Sequence, residues 1–306
     1  MFIDKDIDIV CGTYKINTSP FEVASKLIIE FLNQISIKVL SERRYKKFPD
    51  LVSFAFWCRR SNITKIKESL KENRFGRGVV LHICPSNVAM NYAYSLVFGL
   101  ISGNTNIVRL PSIKFSQVNI LNEIIKNQLK TNKFKILNKR IVLITYKRSD
   151  SISNRLSMIS DARLIWGGDQ TISSFKKYNT KPRVVDLYFA NRYSLCLINS
   201  KKFNKLENMQ IKELVHKFYI DCYTMSQNAC SSPKSLIWSG KINLKKKELF
   251  WNELKNMASN KFDFDITISN KKILNLNRIV LNKNIKGHVE YNKFHLVRVK
   301  YKKNQI

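Results

Sequence analysis

One cysteine stands where a thiol could act as a nucleophile. Cys230 lies in the run Asn228-Ala229-Cys230-Ser231-Ser232-Pro233, among small residues that leave it uncrowded. Just before it, Ile211, Leu214, Val215, Phe218, Tyr219 and Cys222 recur at the spacing of one continuous helical face. The pattern predicts a packed helix followed by a loop that presents the thiol. A lone cysteine is as a rule a small buried hydrophobe, so Cys230 needs partners before it reads as a nucleophile. Gly167-Gly168 is the second feature, in Ile165-Trp166-Gly167-Gly168-Asp169-Gln170-Thr171. Paired glycines let a backbone approach a ligand, and a helix starting behind them turns free N–H groups toward a phosphate. The same pair also reads as a plain tight turn. Asn87, after Pro85-Ser86, is a good turn residue in its own right.

The elements that must position these groups follow from periodicity. Residues 20–47 read as a helical region, with Phe21, Ala24, Leu27, Ile28, Phe31, Leu32 and Ile35 on the face that packs on the outside of a sheet. A second helical stretch, 61–73, ends at the turn-rich Asn73-Arg74-Phe75-Gly76-Arg77-Gly78. The apolar run 79–84, held between Gly78 and Pro85, predicts a buried parallel strand. Beyond it come a helix at 91–102 closed by Gly103, a strand at 106–110, a helix at 116–129, a strand at 140–146, a short helix at 151–159 and a strand at 162–166. This alternation predicts a doubly wound parallel sheet, whose ligands bind at the carboxyl ends of the strands. Further on lie a strand at 193–198, the helix leading to Cys230, a strand at 235–238, a helix at 245–257 and β-like runs at 262–268, 278–281 and 288–299.

A chain of 306 residues, 44% hydrophobic, predicts roughly two domains. With no long apolar run and no basic-then-apolar start, the expected location is the cytoplasm. Six cysteines without a C-x-x-C pair and four unclustered histidines indicate neither a disulfide framework nor a zinc site. The net charge of +32 could signal nucleic acid or anionic membrane. Its lysines are dispersed, in short clusters such as Arg43-Arg44-Tyr45-Lys46-Lys47 and Lys245-Lys246-Lys247, which reads as a solvated basic surface. Abundant Lys, Asn and Ile together are what an AT-rich coding sequence produces. Weak, salt-sensitive nucleic-acid binding would be unsurprising, but no specific nucleic-acid site is expected.

Three separated segments together carry a resemblance. They are Gly78-Val79-Val80-Leu81-His82-Ile83-Cys84-Pro85-Ser86-Asn87 followed by Gly103-Asn104-Thr105-Asn106-Ile107-Val108-Arg109-Leu110-Pro111-Ser112, then Ile165 to Thr171, then Asn228 to Pro233. In order and spacing, over residues 50–240, the chain resembles the bacterial acyl-CoA reductase family that includes the fatty-acid reductase subunit of bioluminescence systems, a branch of the aldehyde dehydrogenase superfamily. The resemblance implies an aldehyde-dehydrogenase-like α/β fold. Residues 1–190 would be N-terminal helices and a Rossmann-like NADP-binding domain, a parallel sheet with helices on both faces. Residues 191–306 would be a smaller, truncated α/β catalytic domain carrying Cys230.

The implied reaction is NADPH-dependent reduction of a long-chain fatty acyl thioester to the aldehyde. Cys230 would attack the thioester carbon, and the side-chain amide of Asn87 with the backbone N–H of Cys230 would hold the oxyanion. Coenzyme A or another thiol carrier leaves, and hydride transfer to acyl–Cys230 gives a thiohemiacetal that expels the aldehyde. Arg109, Ser112, Gly167, Gly168 and Thr171 would bind the cofactor, with no metal. The absence of G-x-G-x-x-G fits a superfamily that holds its cofactor differently. Arg109 stands where many members carry lysine, and its guanidinium suits the 2′-phosphate of NADPH. Implied partners are acyl-CoA or an acyl-carrier thioester, an acyl-protein synthetase or acyltransferase, and further copies of the chain. Residues 185–190, Val-Asp-Leu-Tyr-Phe-Ala, lack the glutamate and glycines with which hydrolytic members activate water, and Asp186 is left unassigned. The family normally continues well beyond Ile306, so an incomplete homologue or acyl-transfer remnant is the alternative within the fold. A basic nucleic-acid-binding protein is the alternative from another class.

Overall fold

Asp8–Cys11 forms strand β1, which pairs antiparallel with a strand far along the chain and which no sequence pattern announces. The structure, a computed structural model, describes residues 1, 3, 6–69, 74–190, 192–223 and 229–261, together with 270, 273, 274, 277 and 281. Apart from Leu281, the β-like runs at 262–268, 278–281 and 288–299 lie outside the described residues, as do Asn228 and the end of the 61–73 stretch. The chain divides into two compact units, Met1–Asn191 and Arg192–Ile306.

In the first unit, helix α1 (Lys26–Ser41) buries Ile28, Phe31, Leu32, Ile35 and Val39 along one face. It starts later than its apolar spacing suggests because the preceding backbone is bonded elsewhere. Phe21 N–H donates to Gly103 O, Val23 N–H to Arg74 O and Ala24 N–H to Ile101 O, while Ala24 sits at φ +49. After α1 comes a 3-10 turn, Arg43–Lys47, then helices α2 (Pro49–Trp57) and α3 (Arg60–Glu68). Helix α2 begins with Pro49 in its first turn and has scarcely a polar face, which hides its period in the sequence.

The sheet follows as β2 (Val79–Ile83), α4 (Asn91–Ile101), β3 (Thr105–Arg109), α5 (Ser116–Leu129), β4 (Ile141–Thr145), α6 (Asp150–Ile159), β5 (Ala162–Trp166), α7 (Asp169–Lys177) and β6 (Val185–Phe189). Its strand order is β1-β4-β3-β2-β5-β6, with β2 to β6 parallel and β1 an antiparallel edge. Strands 2, 3 and 4 build outward in one direction, and the chain then returns through α6 to lay β5 on the other side of β2. The topological switch therefore lies between β2 and β5. Both faces are covered, as a parallel sheet requires. Ile141 and Leu143 of β4 enter one core with Leu96 and Val97 of α4 and Leu121 and Ile125 of α5. Val142 and Ile144 enter the other, with Leu156 of α6 and Ile172 and Phe175 of α7. Truncating a wholly buried side chain such as Leu121 to alanine costs about 2–5 kcal/mol. Gly103 closes α4 at φ +77, and a Cβ there would lie 2.2 Å from the Phe21 carbonyl oxygen. Only glycine fits.

The second unit holds β7 (Leu195–Asn199), α8 (Ser200–Phe203), α9 (Asn208–Tyr223), β8 (Ser235–Ser239) and α10 (Leu244–Lys261). Strands β7 and β8 are parallel, in register from Leu195 against Ser235 to Asn199 against Ser239. The helical face read before Cys230 is the core-facing side of α9. Ile211, Val215 and Cys222 are buried with Phe203, Phe250 and Leu254, and Phe203, Phe218 and Trp238 meet the Phe250 ring edge-on. On the other face of this small sheet Leu195, Leu197 and Ile237 are exposed.

Candidate functional site

The carboxyl ends of β2, β3 and β5 lie at one edge of the sheet, since Ile83 pairs with both Arg109 and Ile165. The loops leaving them carry Asn87, Ser112 and Gly167-Gly168. A switch point with such loops is where an open α/β sheet binds its ligand. Two of the loops are tied together: Ser86 Oγ lies 2.9 Å from Ser112 Oγ and accepts the Ser112 N–H at 3.2 Å. Asn87 and Ser112 are both exposed.

Arg109 ends β3. Its guanidinium donates to the Tyr146 carbonyl at 3.3 Å and lies 4.4 Å over the Tyr146 ring, so among the described residues one of its five donors is used and its plane is fixed. After β5, Gly167 N–H donates to Phe189 O at 3.2 Å. A Cβ on Gly167 would lie 2.9 Å from both Cβ and Cγ2 of Thr171, so the glycine lets the turn close against α7. Helix α7 has no side-chain cap at its N-terminus, whereas α6 is capped by Ser149, whose Oγ accepts from Ile152 N–H. Uncapped N–H groups beside a glycine pair suit an anion. Asp169, in the first turn of α7, is the group that opposes one there.

Residues of β5 and β6 form contacts that the sequence did not foretell. Trp166, the last residue of β5, stacks on Phe189 at 3.7 Å with the rings 7° from parallel. Its Nε1 is buried and finds no partner among the described residues. Arg163, buried within β5, donates from Nε and Nη2 to the two carboxylate oxygens of Asp186 at 2.7 and 2.6 Å, and from Nη1 to Phe175 O. Tyr188 OH donates to the same carboxylate at 2.6 Å. Burial raises the Asp186 carboxyl, but the hydrogen bonds from Arg163 and Tyr188 outweigh it and leave the pKa below the usual range. Asp186, unassigned in the sequence, is a structural anion joining β5, β6 and α7. Two charged residues within strands were the available signal, but only the strand register pairs them.

Cys230 belongs to the second unit. Its turn is fastened on both sides: Ser232 N–H donates to Ala229 O at 3.1 Å, Ser232 Oγ donates to Asp221 O at 2.7 Å, and Ser194 Oγ donates to the Cys230 carbonyl. The backbone is held while the residue is exposed. The other cysteines differ. Cys11, Cys58 and Cys222 are buried and Cys84 and Cys196 half-buried. Burial pushes the Cys11 thiol up to about 11, that of Cys84 up to about 12, and those of Cys58 and Cys196 upward as well. Among the described residues no group of His, Cys, Asp and Glu could hold a metal ion, and no helix is long and apolar enough to cross a membrane.

Comparison with known proteins gives the fold its relatives. The structure is similar to betaine aldehyde dehydrogenase from Staphylococcus aureus in complex with NAD+, at 12% identity and TM-score 0.55, covering 85% of this chain and 56% of that one. It is similar to an NAD-dependent benzaldehyde dehydrogenase from Corynebacterium glutamicum, at 14% identity and TM-score 0.57, covering 90% and 66%. It is also similar to succinic semialdehyde dehydrogenase from Streptococcus pyogenes in complex with NADP+, at 13% identity and TM-score 0.51, covering 76% and 55%. The chain thus spans less than two thirds of the length of these dehydrogenases, and at such identities the likeness is one of fold. No curated protein sequence matches the chain. A family model, that of acyl-CoA reductase (LuxC), matches residues 59–279. That match takes in the larger part of each compact unit, with the switch-point loops and the Cys230 turn, and the chain belongs to the acyl-CoA reductase (LuxC) family, on an aldehyde dehydrogenase fold.

Proposed function

We propose that this protein reduces a long-chain fatty acyl thioester to the aldehyde with NADPH, through an acyl–Cys230 intermediate. Beyond family membership, the observation that carries the reading is the setting of Cys230, the exposed cysteine of the six, on a turn held by Ser194 and Ser232. The deprotonated thiol would attack the carbonyl carbon of an acyl-CoA or acyl-carrier thioester. The carbonyl electrons would pass to oxygen, where the Asn87 amide and the Cys230 backbone N–H would donate hydrogen bonds. As the carbonyl re-forms, the bond to the carrier sulfur breaks and the carrier leaves as its thiol with a proton. A bound nicotinamide cofactor would supply the hydride that turns the acyl thioester into a thiohemiacetal, from which the aldehyde departs as the Cys230 thiolate returns.

The residues at the switch point fit such a cofactor in kind. Gly167 and Gly168 give its backbone a close approach, and the first turn of α7, with Thr171, offers N–H and hydroxyl donors to a phosphate. Ser112 would add a hydroxyl, and Arg109, with four donors beyond the one Tyr146 takes, would favour a 2′-phosphate and hence NADPH. Asp186 is already held by Arg163 and Tyr188, which leaves it no role in activating water against the acyl-enzyme. In this reading residues 1–190 bind the cofactor and 191–306 the acyl group. The enzyme would act in the cytoplasm as a homo-oligomer, supplied with acyl groups by an acyl-protein synthetase or acyltransferase.

Incubation with a labelled long-chain acyl-CoA tests it. The label should appear on Cys230, and no labelling of wild type, or equal labelling of Cys230→Ala, would sink the proposal. Aldehyde release with NADPH consumption separates a complete reductase from a protein that stops at the acyl-enzyme.

A further inference from the structure

The layer made by α1, α2 and the start of α3 has an exposed surface that acyl chemistry leaves unused. In the last turn of α2, Phe56 is 53% exposed, and its neighbour Trp57 meets Phe98 of α4, also 53% exposed, at 5.3 Å between ring centroids. Ile37 of α1, 48% exposed, lines an open groove with Leu40 and Arg59. Scattered apolar side chains on a surface need no explanation, but a group of them marks a site of interaction. The rim is basic. Lys38, Arg43, Arg44, Lys46, Lys47 and Arg59 are all exposed, and the Arg59 guanidinium lies 4.1 Å over the Phe56 ring. The carboxylates of the same stretch are already engaged: Glu30 by Arg60 and Lys133, Glu42 by Arg44, and Asp50 by the Leu51 N–H and Gln117. Arg44 is thereby opposed by Glu42, while Lys38, Arg43, Lys46, Lys47 and Arg59 are exposed charges of the same stretch with no carboxylate paired to them among the described residues, Arg59 directly over Phe56.

We propose that this face lays the protein on an anionic phospholipid surface. Phe56, Phe98 and Ile37 enter the interface, and the basic rim meets the headgroup phosphates. Aromatic rings settle at headgroup level, and each basic side chain near the surface adds attraction to anionic lipid. Nucleic acid would also be drawn to the charge and could stack bases on rings. Ile37 and Leu40 offer no ring to stack on, so the mixed aliphatic and aromatic centre suits acyl chains better.

The test is sedimentation of the full chain with vesicles of phosphatidylcholine, alone or mixed with phosphatidylglycerol. The chain should partition onto the mixed vesicles only. Partition should weaken at least tenfold in F56S/F98S and in R43Q/K47Q. K201Q/K202Q, which removes as many exposed charges from the second unit, should bind as wild type does. Equal loss in the two charge pairs, or full binding by F56S/F98S, would overturn the proposal, because any polycation would behave so. No partition at all would overturn it too, as would capture of duplex DNA through Phe56 and Phe98 without vesicle binding. If serine at 56 and 98 unsettles the fold, as circular dichroism would show, the two charge pairs decide alone.

Discussion

His82 makes the fold of the first unit sensitive to acid, and the size of the effect follows from its surroundings. The ring is wholly buried in β2, with Nδ1 2.8 Å from Ser95 Oγ of α4 and Nε2 3.0 Å from Asn106 Oδ1 of β3. Asn106 Nδ2 donates to Asn104 O at 2.8 Å, which turns its oxygen toward the ring. Nε2 therefore carries the proton and Nδ1 accepts from the Ser95 hydroxyl. The neutral imidazole is satisfied, and a second proton would bury a charge with no anion beside it among the described residues. Burial lowers the His82 pKa to about 4, with the Asn106 hydrogen bond offsetting part of the shift.

In the unfolded chain the same ring titrates near 6.5, so between about 6.5 and 4 the unfolded state binds a proton that the folded state refuses. Stability is unaffected by this group above that window and falls as pH drops through it. The loss reaches about 3 kcal/mol, a large share of the roughly 5–15 kcal/mol that holds a typical domain together. Urea unfolding of wild type and His82→Gln across pH 4 to 7 isolates it, since the other titrating groups are common to both. The variant should be less stable at pH 7 and should lose about 3 kcal/mol less than wild type on going to pH 4. Parallel curves for the two proteins would refute the assignment of a buried neutral ring.

Four further outcomes bear on the site. Asn87→Ala should lower the rate of Cys230 acylation by about 10²- to 10³-fold, as loss of an oxyanion donor does, with acyl-CoA affinity retained in an equilibrium binding assay. Arg109→Gln should weaken NADPH binding about tenfold and leave NADH binding unchanged, read by fluorescence titration. Arg163→Met strips the Asp186 carboxylate of its main partner and should cost about 3 kcal/mol in urea unfolding, whereas the double change with Asp186→Leu should cost less. Gly167→Ala forces the turn away from Thr171 and should weaken nicotinamide cofactor binding severalfold, with a loss of about 1 kcal/mol in stability.

The middle of the first unit was legible because punctuation and period agree there. The run held between Gly78 and Pro85 became β2, the helix closed by Gly103 became α4, and the helix read at 116–129 became α5. The family resemblance, carried by short motifs in these loops, led to the same fold. Elements whose evidence lies elsewhere in the chain were lost. β1 is a strand because β4 offers it an edge, and at four residues it is too short to show a period of its own. The delayed start of α1 depends on carbonyls at 74, 101 and 103 that no local pattern foretells. Arg163 and Asp186 are unrelated charges until the register of β5 and β6 sets them opposite each other. Tyr146 is an ordinary aromatic until β3 and β4 align and bring Arg109 across its ring.

The half-covered sheet of the second unit bears on how the molecule behaves in concentrated solution. Parallel strands are ordinarily buried on both faces, yet Leu195, Leu197 and Ile237 of β7 and β8 look outward, beside strand edges that no third strand fills among the described residues. At low ionic strength a charge of +32 keeps one molecule from another. The range of that repulsion shrinks from about 10 Å at 0.1 M salt to about 3 Å at 1 M. A strong salt wash, the usual means of stripping nucleic acid from a basic protein, thus removes the repulsion that keeps these bare faces apart. For this chain, clarity of the preparation and freedom from bound nucleic acid pull in opposite directions.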